Sequence, residues 1–316
     1  MKYQTEFNKH LQQKGYSKLT IKGYSFNVFT FFKRTQLEEI QTKKADVLKY
    51  LAYLKNKRKQ QNHSRRMHLQ PLNLYFTFLQ EQNIITQNPC SLLKLRGAKR
   101  KTLHKTFTAE QLSQIFDNYY THFVQNHDES KIQHHNRLFA KLSKQRNAAM
   151  LSILLHQGTT TSEINTIEIQ DLDLIKATIK IRGARRSNSR TIQLKAEQIG
   201  ILMYYLQNIR PQLIELSAIE NNKLFLPLPQ KKNQPTITDN LANTFRYLVK
   251  QVRVIEPSFT NFKQTRASTI TLWLKTVGLR KTQYLAGHRN INSTEEYLPN
   301  NLENLSNDIK KLHPYQ

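Results

Sequence analysis

The stretch Gly287-His288-Arg289-Asn290-Ile291-Asn292-Ser293-Thr294-Glu295-Glu296-Tyr297 decides how the rest of this chain is interpreted. It places a tyrosine nine residues after a Gly-His pair, with adjacent Ser and Thr between them. The apolar stretch Thr282-Gln283-Tyr284-Leu285-Ala286 comes directly before it. Several fixed identities at fixed spacing are hard to obtain by chance, so we interpret the stretch as a functional motif.

The charge of the chain indicates a polyanionic partner. The 316 residues include 49 Lys and Arg against 22 Asp and Glu, a formal net charge of +27. Basic side chains that neutralise phosphates release condensed counterions, which makes such binding strongly dependent on salt. A membrane surface is the competing interpretation, and two absences weaken it. No apolar run reaches the roughly 18 to 20 residues of a spanning helix, and no signal-peptide core is present near the N-terminus.

Cysteine, histidine and glycine usage argues against several other classes of protein. The single cysteine, Cys90, excludes an intramolecular disulfide framework and a thiolate-rich zinc site, and it indicates a cytoplasmic protein. The pair His134-His135 stands isolated in a polar stretch, so we predict no metal site. With only 8 Gly and no phosphate-binding glycine motif, the chain does not resemble a nucleotide-driven enzyme, and we expect no cofactor.

Apolar periodicity divides the chain into two mainly helical domains. Residues 1–95 carry apolar residues at helical spacing in four segments, with Ser17 at a predicted helix start and Asn88-Pro89 as the predicted stop of the fourth helix. Residues 96–106 form a basic connector that could lie along a DNA backbone, and 107–316 form the second domain.

The second domain is predicted to combine helices with a β-hairpin. Thr108 is a suitable N-cap for its first helix, and residues 146–155 form an apolar helix. Residues 177–182 and 190–194 alternate with a period of two around a polar turn, which predicts two antiparallel strands. Further helices are predicted at about 196–208, 241–254, 260–276 and 281–286.

Basic side chains of the first domain and of the connector are candidate DNA-binding residues. A solvated surface is the alternative for the first-domain cluster, because one basic cluster is a weak signal. The candidates are Lys55, Lys57, Arg58, Lys59, Arg65, Arg66, Lys99, Arg100 and Lys101.

The C-terminal motif resembles the G-H-x-x-I-x-(S/T)-T-x-x-Y signature of the tyrosine recombinases, the phage-integrase family. A second motif is similar to the F-x-x-x-L-x-x-x-G-x-S-x-x-T-x-x-x-Y entry of that family's core-binding domain; its residues here are Phe7, Leu11, Gly15, Ser17, Thr20 and Tyr24. The resemblance implies a mainly α fold. It consists of an N-terminal four-helix core-binding (SAM-like) domain and an α+β catalytic domain with a small antiparallel sheet.

The same resemblance implies site-specific strand exchange on double-stranded DNA through a 3′-phosphotyrosyl intermediate. No metal, cofactor or nucleotide is needed, because the phosphotyrosyl bond keeps the energy of the broken link. The acting form would be a tetramer on DNA, in which the tail 298–316 docks on a neighbouring subunit. Packing of that tail on its own domain is the alternative.

The resemblance also assigns roles within the catalytic set. Tyr297 corresponds to the nucleophile and His288 to the histidine that hydrogen-bonds a non-bridging phosphate oxygen. Lys263 and Arg266 match the family's H-x-x-R pair, in which Lys is a known alternative to the first His. Their i, i+3 spacing puts both on one helical face, within reach of one phosphate.

Two positions depart from the family pattern. Thr160 stands where the G-L-R-I-S-E-L motif has its first arginine, and Ala184 stands where the hairpin motif G-K-G-x-K-x-R has its lysine. Arg185 or Arg186 could supply a hairpin cation, Lys180 is a further candidate, and a solvated basic turn is equally consistent with this segment. Two hypotheses therefore stay open. One is an active recombinase in which another basic residue replaces the missing charge. The other is a DNA-binding relative, impaired in cleavage, that acts as an accessory or partner subunit.

Overall fold

The computed structural model describes residues 2–97, 105–126, 133, 136–184, 187–217, 221–228 and 241–298. The chain divides into two compact units, Met1–Thr102 and Leu103–Gln316, and the division falls inside the predicted connector. Among the described helices, none combines the length and the apolar character that crossing a membrane requires.

The described part of the first unit, residues 2–97, contains four α-helices whose apolar faces meet in one core. Ser17 caps the second helix by accepting a hydrogen bond from the backbone N–H of Thr20 at 3.2 Å, as the sequence predicts. Aromatic rings fill the core, and Phe7 packs edge-on against Tyr75 with 5.1 Å between ring centroids. The helices are α1 (Gln4–Gln13), α2 (Lys18–Thr35), α3 (Lys44–Asn56) and α4 (Asn62–Glu81).

Helix α4 ends earlier than the sequence predicts. Its last residue is Glu81, and Asn83 adopts the left-handed conformation at φ 55° soon after it. Asn88 instead organises the following loop, because its side chain donates to Thr77 Oγ1 at 2.9 Å and accepts from the backbone N–H of Cys90 at 2.7 Å. The prediction that Asn88-Pro89 stops the helix was therefore wrong. The helix ends seven residues earlier, and the Asn88 side chain stabilises the loop through its hydrogen bonds.

The second unit contains eight described α-helices and a small sheet around a separate core. Thr108 caps its first helix through the backbone N–H of Gln111, at 3.2 Å. The helices are α5 (Ala109–Tyr120), α6 (Arg137–His156), α7 (Thr161–Ile164), α8 (Ala196–Tyr204), α9 (Arg210–Ser217), α10 (Ala242–Ile255), α11 (Phe262–Ala286) and α12 (Asn292–Glu295).

Two of these helices differ in extent from the prediction. Helix α6 begins at Arg137 rather than at residue 146. The prediction missed its first turns because they are mostly polar, whereas the later turns are buried. The helix predicted at 196–208 consists of α8 and a π-helical segment, Tyr205–Ile209, which continues directly into α9.

The sheet is antiparallel in the order β1-β2-β3, with strands Leu172–Asp173, Thr178–Ile181 and Arg190–Gln193. The predicted hairpin of β2 and β3 is confirmed, whereas the two-residue β1 is too short to show a period in the sequence. Ile181 pairs with Arg190, and Ile179 with Ile192. Alternation along β3 buries Arg190 and Ile192 on the same face. The register therefore turns a guanidinium toward the interior of the unit.

Helix α11 is interrupted at Gly278. This residue has φ 78° and ψ 174°, a combination that only glycine adopts without strain, so two helical segments meet there. Asn261 caps the first segment by accepting from the backbone N–H of Lys263 at 2.9 Å. Gly287 ends the second segment in the left-handed conformation at φ 69°. The first segment carries Arg266, and the second leads into the motif of His288 and Tyr297.

Candidate active site

The motif glycine is explained by a close approach of the β2–β3 hairpin. A Cβ at Gly287 would lie 2.6 Å from Nη1 of Arg190 and 3.0 Å from the carbonyl oxygen of Asn188. The backbone N–H of Asn188 donates to the carbonyl of Gly287 at 2.9 Å, and Ser187 forms a β-bridge with His288. The hairpin is thus fastened to the motif by backbone hydrogen bonds, at a point where no side chain fits.

Arg266 lies at the centre of the candidate site, with its side chain 12% exposed. Its Nη2 donates to the carbonyl of Ala286 at 2.8 Å and to Nε2 of His288 at 3.2 Å, and its Nη1 donates to the carbonyl of Gly158. Burial lowers the pKa of Arg266, and the nearby carboxylate of Glu163 opposes this shift. The guanidinium is therefore held in one position by three hydrogen bonds.

His288 is held as the neutral imidazole. Arginine can only donate, so Nε2 of His288 accepts from Arg266, and Nδ1 carries the proton that it donates to Oγ1 of Thr294 at 2.9 Å. Burial lowers the pKa of His288 to about 4, and the positive charges of Arg266 and Arg190 add to this effect. At neutral pH the ring therefore adds no charge to the site, and both of its nitrogens are engaged in hydrogen bonds within it.

Tyr297 stacks on His288. The ring centroids are 5.9 Å apart and the ring planes differ by 15°. Thr294 fixes both residues, because its side chain contacts His288 and its carbonyl accepts the backbone N–H of Tyr297 at 3.0 Å. Interaction with the Tyr297 phenol also acts to raise the pKa of Arg266. The structure thus brings Arg266, His288 and Tyr297 into one cluster.

A buried ion pair borders this cluster. Nη1 of Arg190 lies 2.6 Å from Oε1 of Glu163, and the two side chains are 0% and 9% exposed. Burial raises the pKa of Glu163, but the hydrogen bond and the charge of Arg190 outweigh burial and hold the pKa below its usual value. Oε2 of Glu163 lies 3.7 Å from Nη1 of Arg266, so the carboxylate touches both guanidinium groups.

Thr160 is the N-cap of the short helix α7. Its Oγ1 accepts from the backbone N–H of Glu163 at 3.2 Å, and its own N–H and hydroxyl both donate to Oε2 of Glu163, at 2.8 and 3.0 Å. Ser/Thr followed three residues later by Glu is a capping box. The threonine therefore has a local structural role, and through it the carboxylate of Glu163 is oriented.

The other described candidate positions for a catalytic cation are exposed. Lys263 is exposed in the first turn of α11, and Lys180 is exposed on β2. Ala184 is exposed at the start of the hairpin turn, where its carbonyl accepts from Arg289 at 3.2 Å. Arg185 and Arg186 lie outside the described residues, so their role as hairpin cations stays a prediction.

The predicted DNA-binding residues differ in their exposure and in their contacts. Lys99, Arg100 and Lys101, like the tail beyond Leu298, lie outside the described residues. The exposed group lies at the end of α3 and in the turn after it: Lys55, Lys57, Arg58 and Lys59. Arg66 is exposed as well, but its Nε donates to the carbonyl of Leu95 at 2.7 Å, which fixes the segment before the connector.

Arg65 corrects the prediction of a basic surface side chain. It is buried, its Nε donates to the carbonyl of Leu51 at 3.1 Å, and its Nη1 donates to Oδ1 of Asn62 at 2.8 Å. The guanidinium joins α3 to α4, so in this structure Arg65 is a packing residue. Charge alone could not reveal this, because burial depends on which face of α4 the core covers.

The sequence did not identify Arg190 and Thr294 as site residues. Arg190 was visible only as the last residue of the hairpin motif, and Thr294 only as one of the motif's small polar residues. One signal for Arg190 was available in the sequence. In a strand with a period of two, Arg190 lies on the same face as the apolar Ile192, which indicates that its side chain is buried.

The chain matches a known protein family over most of its length. Residues 105–304 match the Phage integrase family, so the chain belongs to that family, the tyrosine recombinases. The chain is 23% identical over 306 residues to the tyrosine recombinase XerC of Leptospira interrogans, covering 96% of this chain and 90% of that protein.

Two solved structures share the fold. The integrase of transposon Tn1549 in complex with a circular intermediate DNA matches with a TM-score of 0.65 and 16% identity, over 98% of this chain and 99% of that one. A lambda integrase tetramer bound to a Holliday junction matches with a TM-score of 0.58 and 13% identity, over 92% of this chain and 77% of that one.

Proposed function

We propose that this protein is a site-specific DNA recombinase that acts through a covalent tyrosyl intermediate. The phenol oxygen of Tyr297 attacks a backbone phosphorus, the bond to the 5′-oxygen breaks, and a 3′-phosphotyrosyl bond forms. The leaving oxygen takes up a proton and later attacks the phosphotyrosine, which restores a phosphodiester. The number of phosphoester bonds is unchanged, so no nucleotide is needed to supply energy for the exchange.

The observation that carries this proposal is the contact of Arg266, His288 and Tyr297 in one cluster. A donor that is already oriented stabilises charge most as it develops, because it needs no reorganisation during the reaction. Arg266 would donate to the non-bridging oxygens of the pentacoordinate phosphorus, and neutral His288 would position Arg266 by accepting its hydrogen bond at Nε2. Lys263 in the first turn of α11 is the proposed further cation of the same site.

DNA is the proposed partner, held by exposed basic residues of the first unit and by the connector. The lambda integrase tetramer on a Holliday junction and the Tn1549 integrase on DNA support this proposal and an assembly of four subunits. Exchange of the tail 298–316 between subunits is proposed from its helical apolar spacing.

Covalent adduct formation tests the proposed function. The target site is first obtained by binding selection, and a nicked suicide substrate is then built on it, so that the cleaved strand diffuses away. Denaturing electrophoresis should show a protein–DNA adduct with the parent protein and none with Tyr297→Phe. Tyr297→Phe should still bind the same DNA, because it loses one hydroxyl and no charge. Adduct formation by Tyr297→Phe would move the nucleophile to another residue.

The second candidate function is a cleavage-impaired accessory subunit. The observation that favours it is the role of Thr160, where the family pattern has an arginine: the residue caps α7 through its hydroxyl and holds Glu163. Under this proposal the parent protein binds the selected site but forms no adduct. The two candidates are separated by the same substrate, together with a mixing experiment in which the protein stimulates a cleaving partner.

A further inference from the structure

We propose that Arg190 is a positioning residue for strand exchange: by pairing with Glu163, it leaves the positive charge of Arg266 available to the scissile phosphate. The inference rests on the proposed function. It concerns a residue whose side chain is fully buried and therefore would act through its neighbours and not by contacting DNA.

Glu163 lies between two guanidinium groups. Its Oε1 is 2.6 Å from Nη1 of Arg190, whereas its Oε2 is 3.7 Å from Nη1 of Arg266. Thr160 donates twice to that same Oε2, which holds the carboxylate in this orientation. A charged hydrogen bond at the shorter distance is much the stronger of the two interactions. The carboxylate is therefore satisfied mainly by Arg190.

The structure confines Arg190 to this task. Its side chain is 0% exposed, so it cannot exchange Glu163 for water as a surface arginine can. The absence of a side chain at Gly287 leaves the space that Nη1 occupies. Nε and Nη2 of Arg190 have no hydrogen-bond partner within the described part of the chain, so Glu163 is the one side chain there that hydrogen-bonds this guanidinium.

The sum of charges shows why the pairing matters. Arg190, Arg266 and Glu163 together carry one net positive charge, and His288 is neutral at neutral pH. If a neutral residue replaced Arg190, Arg266 would be the remaining cation in contact with Glu163 among the described residues. That pair would carry no net charge, and Arg266 would be drawn toward the carboxylate instead of the phosphate. Because Thr160 stands where the family pattern has an arginine, the site already lacks one positive charge, and losing that of Arg266 would leave the phosphate with less stabilisation still.

Single-turnover cleavage of the suicide substrate tests the inference. Arg190→Gln should lower the rate of adduct formation by about 10² to 10³, because Arg266 would be drawn from the phosphate to Glu163, and losing one pre-oriented donor usually has an effect of this size. The double variant Glu163→Gln/Arg190→Gln restores the net charge and should recover to within roughly tenfold of the parent rate. DNA affinity should stay close to the parent value in both variants, because neither side chain is exposed.

A matched control separates positioning from general stability. Arg146→Gln also removes a buried arginine of the same unit, one that bonds Asn147 and the carbonyl of Leu226 rather than the site. Compared at temperatures where all variants are folded, Arg146→Gln should cleave at the parent rate. A double variant that folds and binds DNA but cleaves no faster than Arg190→Gln would overturn the inference.

A titration of His288 tests the charge compensation without any cleavage. The groups that face this ring are Arg266 on α11, Arg190 on β3, Glu163 on α7 and Tyr297 beyond α12. The pKa of His288, followed by NMR of histidine-labelled protein and assigned with His288→Gln, should rise in Arg190→Gln and fall in Glu163→Gln. In the double variant it should return to near the parent value.

The two readouts distinguish the possible failures. If the parent protein forms no adduct on its selected site, the proposed function fails, while the titration still reports on Arg190 and Glu163. If the parent cleaves but the pKa of His288 in the double variant stays at the Arg190→Gln value, the two charges do not compensate each other, and the inference is wrong.

Discussion

Replacing Thr160 by arginine is expected to accelerate DNA cleavage while lowering stability. The hydroxyl of Thr160 caps α7 and donates to Glu163. Loss of a threonine cap costs about 0.5 to 2 kcal/mol. An arginine that stabilises the transition state of phosphoryl transfer is worth on the order of 10³ to 10⁵ in rate, or roughly 4 to 7 kcal/mol. A domain with about 5 to 15 kcal/mol of stability remains folded after losing a cap. The faster cleavage should therefore be observable in folded protein.

The assay compares adduct formation with affinity and stability. We expect the single-turnover rate of Thr160→Arg to rise by at least about 10², with a much smaller change in Kd, because the added interaction develops with the charge on phosphorus. The melting temperature should fall by a few degrees, since 1 kcal/mol corresponds to roughly 2 to 4 °C for a domain of this size class.

Two control variants separate charge from capping. Thr160→Ser keeps the cap and adds no charge, so it should behave as the parent. Thr161→Arg adds the same charge one residue later and should not accelerate cleavage. A Thr160→Arg protein that folds, binds DNA and cleaves no faster than the parent would refute the reasoning, because the site would then not use a cation from this position.

Four further predictions follow from the described contacts. Gly287→Ala should lower both the melting temperature and the rate of cleavage, because a side chain in the left-handed conformation costs about 1 to 2 kcal/mol and the new Cβ would clash with Arg190. The control Gly200→Ala, within α8 and with open space around it, should lower neither. DNA affinity should fall by roughly 10³ or more between about 50 and 200 mM salt, and Lys57→Gln should reduce that dependence without changing the melting temperature; a flat salt profile would contradict a phosphate-dominated interface. Arg65→Gln should lower the melting temperature, which a thermal scan can compare directly with Lys57→Gln. The free energy of unfolding should decrease as pH falls from 6.5 toward about 4, because the folded pKa of His288 lies below its unfolded value and the unfolded state binds the proton more readily; a smaller decrease in His288→Gln, measured by urea unfolding, checks this.

Local signals in the sequence were sufficient for much of the fold. Ser17 and Thr108 cap the helices that they were predicted to start, because an N-cap depends on residues within one turn. The hairpin of β2 and β3 was predicted from its period of two. Helix ends that depend on tertiary contacts were not predicted: the core and the Asn88 side chain decide where α4 and its loop lie.

The site was predicted in the part that one contiguous motif encodes. His288 and Tyr297 lie within eleven consecutive residues, and Arg266 is brought to them by the helix that precedes the motif. Glu163 and Arg190 come from separate elements, and their ion pair depends on the sheet register and on the fit of the hairpin against Gly287. A single sequence carries no direct record of such a contact, so the charge balance of the site became visible only in the folded chain.

The break of α11 at Gly278 has a consequence for insertions and deletions in this protein. In an uninterrupted helix, one added residue rotates everything downstream by about 100°, because each turn holds 3.6 residues. Such an insertion in the first segment, after Arg266, would turn Trp273 and its neighbours out of phase with the core. Gly278 is the one non-helical position inside α11, so a length change beside it can be absorbed by the backbone instead of being passed on as rotation. A length change beside Gly278 would therefore leave the orientation of the Tyr297 motif relative to Arg266 unchanged.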